Sequence, residues 1–305
     1  MNSLTILQSA PRMQLQDLGR FGYAHTGLSQ GGPIDLHAHC WANRLLENKP
    51  HATTLEISYG NCLFKANSNC SIAITGAEMN AQIDGVALQN WSTHFIRKGQ
   101  ILQLHYATKG IHAYLAIQQG FQTPPVLGSS ATVIRNQIGS LLKENSNLEF
   151  IHHATPEKTS KRIPAQYIPD YDIAKNIRVI LPIDQDADLS EKLIKNQFTI
   201  SQKSDRMGIN LIAAQPLPSQ PGIISEGISL GAIQLPPSGN PIILLNDRQT
   251  QGGYKKIGAI ARVDLPLLVQ TRPGTSITLG PISRDQAAQE WTEFTQFFQP
   301  LQKGE

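Results

Sequence analysis

Charge is scarce in this 305-residue chain: Asp, Glu, Lys and Arg make up 16% of it, against 40% hydrophobic residues. That balance excludes a disordered chain, which carries more charge and less apolar surface. The net charge is only +3 and the cations are scattered. The one dense basic run, Lys158-Thr159-Ser160-Lys161-Arg162, reads as a solvated linker rather than a nucleic-acid patch. Cysteine is scarce too. Cys40, Cys62 and Cys70 show no CxxC spacing, and an odd number argues against a disulfide framework and for a reducing compartment. All three are expected to be buried small hydrophobes. No apolar run approaches the roughly 20 residues that span a bilayer. Met1 to Leu7 lacks a basic and then apolar leader pattern, so the expected location is the cytoplasm.

Several catalytic signatures are missing as well. No HExxH and no Cys/His cluster occur, so no metal is expected, and His37 and His39 stand two apart on a helix and do not share a face. Ser129-Ser130 lacks the GxSxG elbow. The loop Gly31-Gly32-Pro33 lacks the Gly-Lys-Ser/Thr ending of a phosphate-binding loop. There is no complete ATP motif and no Met-Lys-Met biotinylation context.

Short strands dominate what is present. Leu55–Ser58, Ser71–Thr75, Ile101–Tyr106 and His112–Ile117 alternate or run apolar between Gly, Asn and Pro turns, and Ile83-Asp84-Gly85-Val86 signals a hairpin. Strands are also expected at Ile177–Leu181, Gly222–Ile224, Gly231–Leu235 and Ile242–Leu245. Helices are expected over Ile34–Leu46, Ala187–Asn196 and Ser283–Phe298, the last capped by Ser283. It places Ala287, Trp291, Phe294 and Phe298 on one packing stripe, a lid on a core. The fold class is therefore mainly β, in barrels or sandwiches, with a few helices. The Pro-rich, aperiodic stretch suggests residues 1–155 as a β-rich N-terminal domain, 156–175 as a linker and 176–305 as a C-terminal β domain ending in a helix.

Four loops concentrate polar chemistry. In Gln16-Asp17-Leu18-Gly19-Arg20, Asp17 and Arg20 either pair around a tight turn or offer an anion or carbonyl site. Gly31 and Gly32 precede a helix N-terminus, where unpaired N–H groups can nest an anion, and Asp35 either complements the helix dipole or takes part in chemistry. Ser204-Asp205-Arg206-Met207-Gly208 is the third. The fourth, Asn246 to Gly258, packs Asp247, Arg248, Gln249, Thr250, Gly252, Gly253, Tyr254 and Lys256 into a dozen residues. A packed core needs no such mixture, whereas a loop that binds something small and polar does. Glu226, following an apolar run, is expected to be a buried carboxylate, either a general base or a partner for Arg206 or Arg248. Lys256 beside an apolar strand is either a desolvated amine for acid/base work or a point contact for an anion.

With these loops in view the chain resembles the carboxyltransferase-domain family once called allophanate hydrolase subunit 2, which includes KipA and the C subunit of 5-oxoprolinase. The matching pieces keep family order: Gln16–Arg20, Gly31–Asp35, Ala42–Leu46, Leu55–Ile57, Thr75–Ala77, Pro125–Ser129, Ser204–Gly208, Ser225–Gly227, Gly231–Gln234, Asp247–Thr250, Gly252–Tyr254 and Lys256–Gly258. The Asp-Arg-Gln-Thr-x-Gly-Gly-Tyr block is the most specific of them. The resemblance implies cyclophilin-like β-barrel domains. It implies the C subunit of an ATP-dependent 5-oxoprolinase that opens 5-oxo-L-proline to L-glutamate, inactive alone, with a KipI-like B component and a LamB/YcsF-like A component as partners. ATP is the implied cofactor, and biotin enters only in an alternative reading, a urea or amide carboxyltransferase domain. A further alternative is a KipA-like regulatory module that binds a KipI-like kinase inhibitor. For the enzyme, Arg20, Arg206, Arg248 and Lys256 would stabilise developing charge, and Asp17, Asp35, Glu226 and Asp247 would orient those cations or move protons. Gly31, Gly32, Asp205, Gln234, Gln249, Thr250, Gly252, Gly253 and Tyr254 would contact substrate. One departure stands out: relatives carry an Arg after the Gly-Ser of the Pro-Val-Leu-Gly-Ser block, and here Ser130 follows Ser129. If that Arg holds an anion, a contact of about 1.5–3 kcal/mol is lost.

Overall fold

The computed structural model describes residues 2–151, 160–172, 175–183 and 186–299. His152-His153, the start of the basic run at Lys158-Thr159, and six residues of the expected linker lie outside the described residues. The chain divides into two compact units. One comprises residues 1–20, 31–172 and 298–305, and the other residues 21–30 and 173–297.

The first unit is two antiparallel sheets around one core. A seven-stranded sheet runs in the order Phe121–Gln122, Asn147–Phe150, Asn2–Gln8, Gly60–Ala66, Ile101–Tyr106, Gln82–Ile83, Val86–Ala87. A five-stranded sheet runs Arg12–Gln16, Thr54–Ser58, Lys109–Ile117, Cys70–Glu78, Ser92–Ile96. Side chains alternate across each strand, so one face of each sheet supplies Leu4, Ile6, Phe64, Leu102 and Leu104, or Met13, Leu55, Ile57, Ile72 and Leu115, to a shared apolar cluster. Cys62 and Cys70 belong to that cluster, and all three cysteines are buried and free. The expected hairpin forms, with Ile83 opposite Val86, and Asp84 and Gly85 both at positive φ, as a type I′ turn demands.

The other face of the five-stranded sheet carries α1, Leu36–Leu45. It begins two residues later than expected because Asp35 is its N-cap: the Asp35 carboxylate accepts from Ala38 N at 2.9 Å. Thr75 Oγ1 donates to Ala38 O at 2.7 Å and holds the helix to the sheet.

The second unit is a closed seven-stranded barrel, in the order Lys175–Ile180, Lys255–Ile260, Ala232–Leu235, Ile242–Leu244, Gly208–Ala213, Gln197–Ile200, Ser276–Pro281. The ring closes through the parallel pair of Ser276–Pro281 with Lys175–Ile180, and closure leaves no free edge. Helices α2 (Ala187–Lys195), α3 (Leu265–Val269) and α4 (Arg284–Phe298) accompany it. The expected N-cap of α4 is present, with Ser283 Oγ accepting from Gln286 N at 3.1 Å. Ala287 packs with Ala261 and Ile282, while Trp291 stacks on Phe294.

Gly222–Ile224 is not a strand. It follows Pro221 and precedes the short strand Glu226–Gly227, Ile223 N reaches Gly253 O alone, and Ile224 is 94% exposed. The short helix α3, five residues with Pro266 in its first turn, has no counterpart among the expected helices.

Candidate functional site

In the first unit, the predicted residues Asp17, Arg20, Gly31, Gly32 and Asp35 are engaged with the protein itself. Arg20 is buried, and its Nε donates to Val126 O at 3.0 Å while Nη2 donates to Ser129 O and Ala131 O at 3.2 and 3.0 Å. Burial lowers its pKa below the ordinary arginine value, partly countered by the charge of Asp17. Asp17 accepts from Gly19 N at 2.9 Å, Ser129 Oγ at 2.6 Å and Ser130 N at 2.7 Å. Neither residue has the other as a hydrogen-bonding partner. They clamp the same 126–131 turn, one through its carbonyls and the other through its donors. Ser130, the position of the expected departure from the family pattern, serves here as a backbone donor to Asp17.

The glycine turn ahead of α1 is equally committed. Gly32 N donates to Gln16 Oε1 at 3.0 Å, Ile34 N to Glu56 Oε2 at 2.9 Å and Asp35 N to the Tyr114 hydroxyl at 2.8 Å. Gly32 needs to be glycine: its φ is +90° and a Cβ would meet Leu18 O at 2.9 Å. Beneath lies a hub that the sequence patterns did not single out. Glu56, 1% exposed, accepts from Tyr114 Oη at 2.7 Å and Gln14 Nε2 at 3.2 Å. Burial first, then the charges of Glu56 and Asp35, push the Tyr114 hydroxyl well above its usual pKa, so it stays a donor. A carboxylate in the middle of the apolar run Leu55-Glu56-Ile57 was the available signal.

The second unit holds the remaining predicted residues. Arg206 and Asp247, both buried, form a two-point pair at 2.9 and 3.0 Å. Asp247 N also donates to Arg206 O at 2.9 Å, and Ser29 Oγ donates to Arg248 O at 2.7 Å. These contacts anchor the start of the polar loop. Asp205 is exposed and closes its own turn, accepting from Met207 N at 2.8 Å.

Topology explains the loop's course. Strands Ile242–Leu244 and Lys255–Ile260 both pair antiparallel with Ala232–Leu235, so they run parallel to each other and their connection must traverse the barrel's length. On the way it forms a two-stranded ribbon, Gln251–Gly252 against Glu226–Gly227, with Thr250 O accepting from Ile228 N at 3.0 Å. Ile228 packs on Ala232 and Leu244, which seats the ribbon against those strands. Gly252 permits this: a Cβ there would come within 2.6 Å of Ile228 and 2.8 Å of Gln234 Nε2. Gln234 is 2% exposed and its Nε2 has no hydrogen-bond partner among the described residues.

Glu226 departs from expectation. It is exposed on this ribbon, because the apolar strand that would have buried it does not form. Its partner is Lys256, at 3.2 Å, rather than Arg206 or Arg248. Lys256 is about one-third exposed and paired, so the expected burial beside an apolar strand is absent. Arg248 is half-buried. It donates Nε to Ile228 O and Nη1 to Leu245 O, both at 3.1 Å, and Nη2 has no partner among the described residues. Burial, followed by the charge of Arg262, lowers Arg248 to about 10. Gln249 and Thr250 are half-buried, Gly253 O accepts from Ile223 N at 2.9 Å, and Tyr254 is exposed beside them. The described residues hold no group of His, Cys, Asp and Glu able to bind a metal, and no helix long and apolar enough to cross a membrane.

A closed barrel with a polar crossover ribbon, in one chain with a two-sheet unit that carries a clamped glycine turn, defines a carboxyltransferase-type protein. Residues 26–281 match the family described as carboxyltransferase domain, subdomain A and B, and the chain belongs to that family. It is 32% identical to the 5-oxoprolinase C subunit of Haemophilus influenzae, covering 93% of each chain. It is 30% identical to the 5-oxoprolinase C subunit of Escherichia coli, covering 98% of this chain and 97% of that one. Among solved structures, the Kluyveromyces lactis urea amidolyase superposes with a TM-score of 0.86 at 23% identity, over 99% of this chain but 20% of its own. That likeness establishes the fold.

Proposed function

We propose that this chain is the C subunit of an ATP-hydrolysing 5-oxoprolinase, working with KipI-like and LamB/YcsF-like partners to open 5-oxo-L-proline to L-glutamate. The observation that carries this reading is two-way coverage: the chain matches 5-oxoprolinase C subunits over 93% or more of both lengths. Against the urea amidolyase of Saccharomyces cerevisiae it spans 16% of the relative, at 25% identity.

The chemistry suits the ribbon. A lactam is a poor electrophile because its nitrogen lone pair delocalises into the carbonyl. ATP supplies activation of that oxygen by phosphorylation. The chain's part is to hold an oxygen on which negative charge grows, and directional cationic donors serve that purpose. Arg248, with two of its nitrogens fixed on carbonyls and Nη2 uncommitted, suits a standing anionic group of the reactants. Lys256 offers a second cation, steadied by Glu226. Gln234 offers a buried amide N–H without a partner. The Gly31-Gly32 turn suits a phosphate poorly, because N–H groups of that segment are engaged by Gln16, Glu56 and Tyr114. Arg206 and Asp247 act as positioning residues.

The test is reconstitution. The chain alone is expected to turn over nothing, and the verified three-component mixture to release glutamate and ADP in equal amounts. No glutamate from that mixture would overturn the reading. A second reading, a biotin-dependent carboxyltransferase, has weaker support, from urea amidolyase regions at 25% identity. That reading predicts ATP-independent carboxyl transfer from preformed carboxybiotin on a carrier protein to urea, releasing biotin and carboxylated urea.

A further inference from the structure

We propose that Arg248 and Arg262 together bind the oxyanion of a small ligand, a carboxylate or a phosphate, at the barrel end where strand Ala232–Leu235 begins. Strand polarity brings the two residues to that end. Ile242–Leu244 and Lys255–Ile260 both run antiparallel to Ala232–Leu235, so both finish where the middle strand starts. Gly231 N donates to Leu244 O at 2.8 Å and Ile260 N to Gly231 O at 2.9 Å, which ties the three ends together. Arg248 follows the first of these strands and is fixed to Ile228 O and Leu245 O. Arg262 follows the other, two residues beyond Ile260, with its guanidinium carbon 4.1 Å above the centre of the Trp291 ring.

The acids near this end are engaged elsewhere. Asp247 pairs with Arg206. Asp264 and Glu290 both pair with Arg178, at 2.6 and 2.8 Å. Among the described residues neither Arg248 nor Arg262 has a carboxylate partner, and Arg262 Nε is buried with no hydrogen-bond partner. Burial lowers the pKa of both, and the charge of Arg262 weighs further on Arg248. Two like charges withdrawn from water without a counter-ion are costly, and an arriving oxyanion removes that cost while matching the planar guanidinium fork. The aromatic face of Trp291 holds one fork in place, and the two carbonyls hold the other. The site itself stands on these residues; only the identification of its anion as a substrate carboxylate rests on the 5-oxoprolinase reading.

Calorimetric titration of the full chain at low salt, with 5-oxo-L-proline and separately with inorganic phosphate, tests the assignment. At least one probe is expected to bind. Arg262→Gln should weaken that binding at least tenfold and Arg262→Lys should recover part of it. Arg135→Gln, an exposed arginine of the first unit, should leave it unchanged. If Arg262→Gln does not fold, judged by near-ultraviolet circular dichroism, Trp291→Leu removes the ring that orients Arg262 and should weaken binding several-fold. Binding of either probe through Arg262 supports the site, and phosphate alone would make it a phosphate site, with the substrate carboxylate held elsewhere. No binding of either probe overturns it. So does 5-oxo-L-proline binding that survives Arg262→Gln unchanged, an outcome that leaves the 5-oxoprolinase reading standing.

Discussion

The polar cluster of the first unit and the polar ribbon of the second are equally conspicuous as sequence, yet they use their charged groups in opposite ways. Around Asp17, Arg20 and Asp35 the groups turn inward: Arg20 holds three carbonyls of one turn, Asp17 holds its donors, and Asp35 caps a helix. Along the ribbon, Arg248 keeps one nitrogen uncommitted, Lys256 and Glu226 form a partly exposed pair, and Tyr254 stands in solvent. An Asp-x-x-Arg loop therefore does not announce chemistry by composition alone. What separates the two is whether the spare hydrogen-bonding capacity can be reached: Arg20 is 3% exposed and its unpartnered Nη1 is buried, whereas Lys256 and Tyr254 of the ribbon reach solvent.

The contrast is least clean at Arg206–Asp247, which lies beside the ribbon but behaves like the first cluster. Replacing Asp247 with Asn leaves a buried guanidinium without its charge partner, and breaking such a pair costs about 3–5 kcal/mol. The expected outcome is a large fall in the urea midpoint of the second unit, read from Trp291, with the Trp41 and Trp91 signal of the first unit less affected. A change below about 1 kcal/mol would mean that the pair is not structural and would move Asp247 into the chemistry.

Acid separates the units by a second route. His39 is fully buried, with ring nitrogens 2.9 Å from Thr54 Oγ1 and 3.2 Å from Pro50 O, and burial lowers its pKa from 6.5 to about 4. His37 is lowered to about 4 by the same cause. The unfolded chain takes up these protons near pH 6.5 and the folded chain only near 4, so stability is lost as pH falls through that window. The loss from His39 alone approaches about 3 kcal/mol at the low end. The described residues of the second unit contain a single histidine, His25, which is exposed. Between pH 6.5 and 5 the urea midpoint read from Trp41 and Trp91 should therefore fall faster than that read from Trp291, and His39→Gln should flatten the difference. Parallel slopes in the two signals would break this part of the comparison.

How much of this was legible beforehand follows from the range of the interactions. Local patterns were readable: the Asp84-Gly85 hairpin, the Ser283 cap and the alternating strand Ile101–Tyr106 all depend on residues close in sequence. Gly222–Ile224 misled because two adjacent isoleucines look like a strand whether or not a neighbouring strand exists to receive them. Misplacing it buried Glu226 in expectation, whereas the absence of that strand leaves it exposed. Partners were not readable at all. Arg206 and Asp247 are 41 positions apart, and Glu56 and Tyr114 are 58 apart. Their pairing is decided by strand order, which no local window contains. The residue types of the ribbon were visible, but which of them had donors to spare was not.

The smallest expected effect on folding falls on the ribbon itself. Lys256 and Glu226 are joined at 3.2 Å with both side chains a third or more exposed, and such pairs contribute about 0–1 kcal/mol after solvent screening. Lys256→Gln should therefore leave the urea midpoint nearly unchanged. In the reconstituted three-component mixture the same substitution should cut glutamate release by at least tenfold, because the cation offered to a developing negative charge is gone. Arg20→Gln should behave in the reverse order, loosening the 126–131 turn and lowering the midpoint before it touches turnover per folded molecule. If Lys256→Gln instead lowered stability and left turnover intact, the ribbon would belong with the inward-turned cluster, and the division between the two regions would be one of exposure only, not of role.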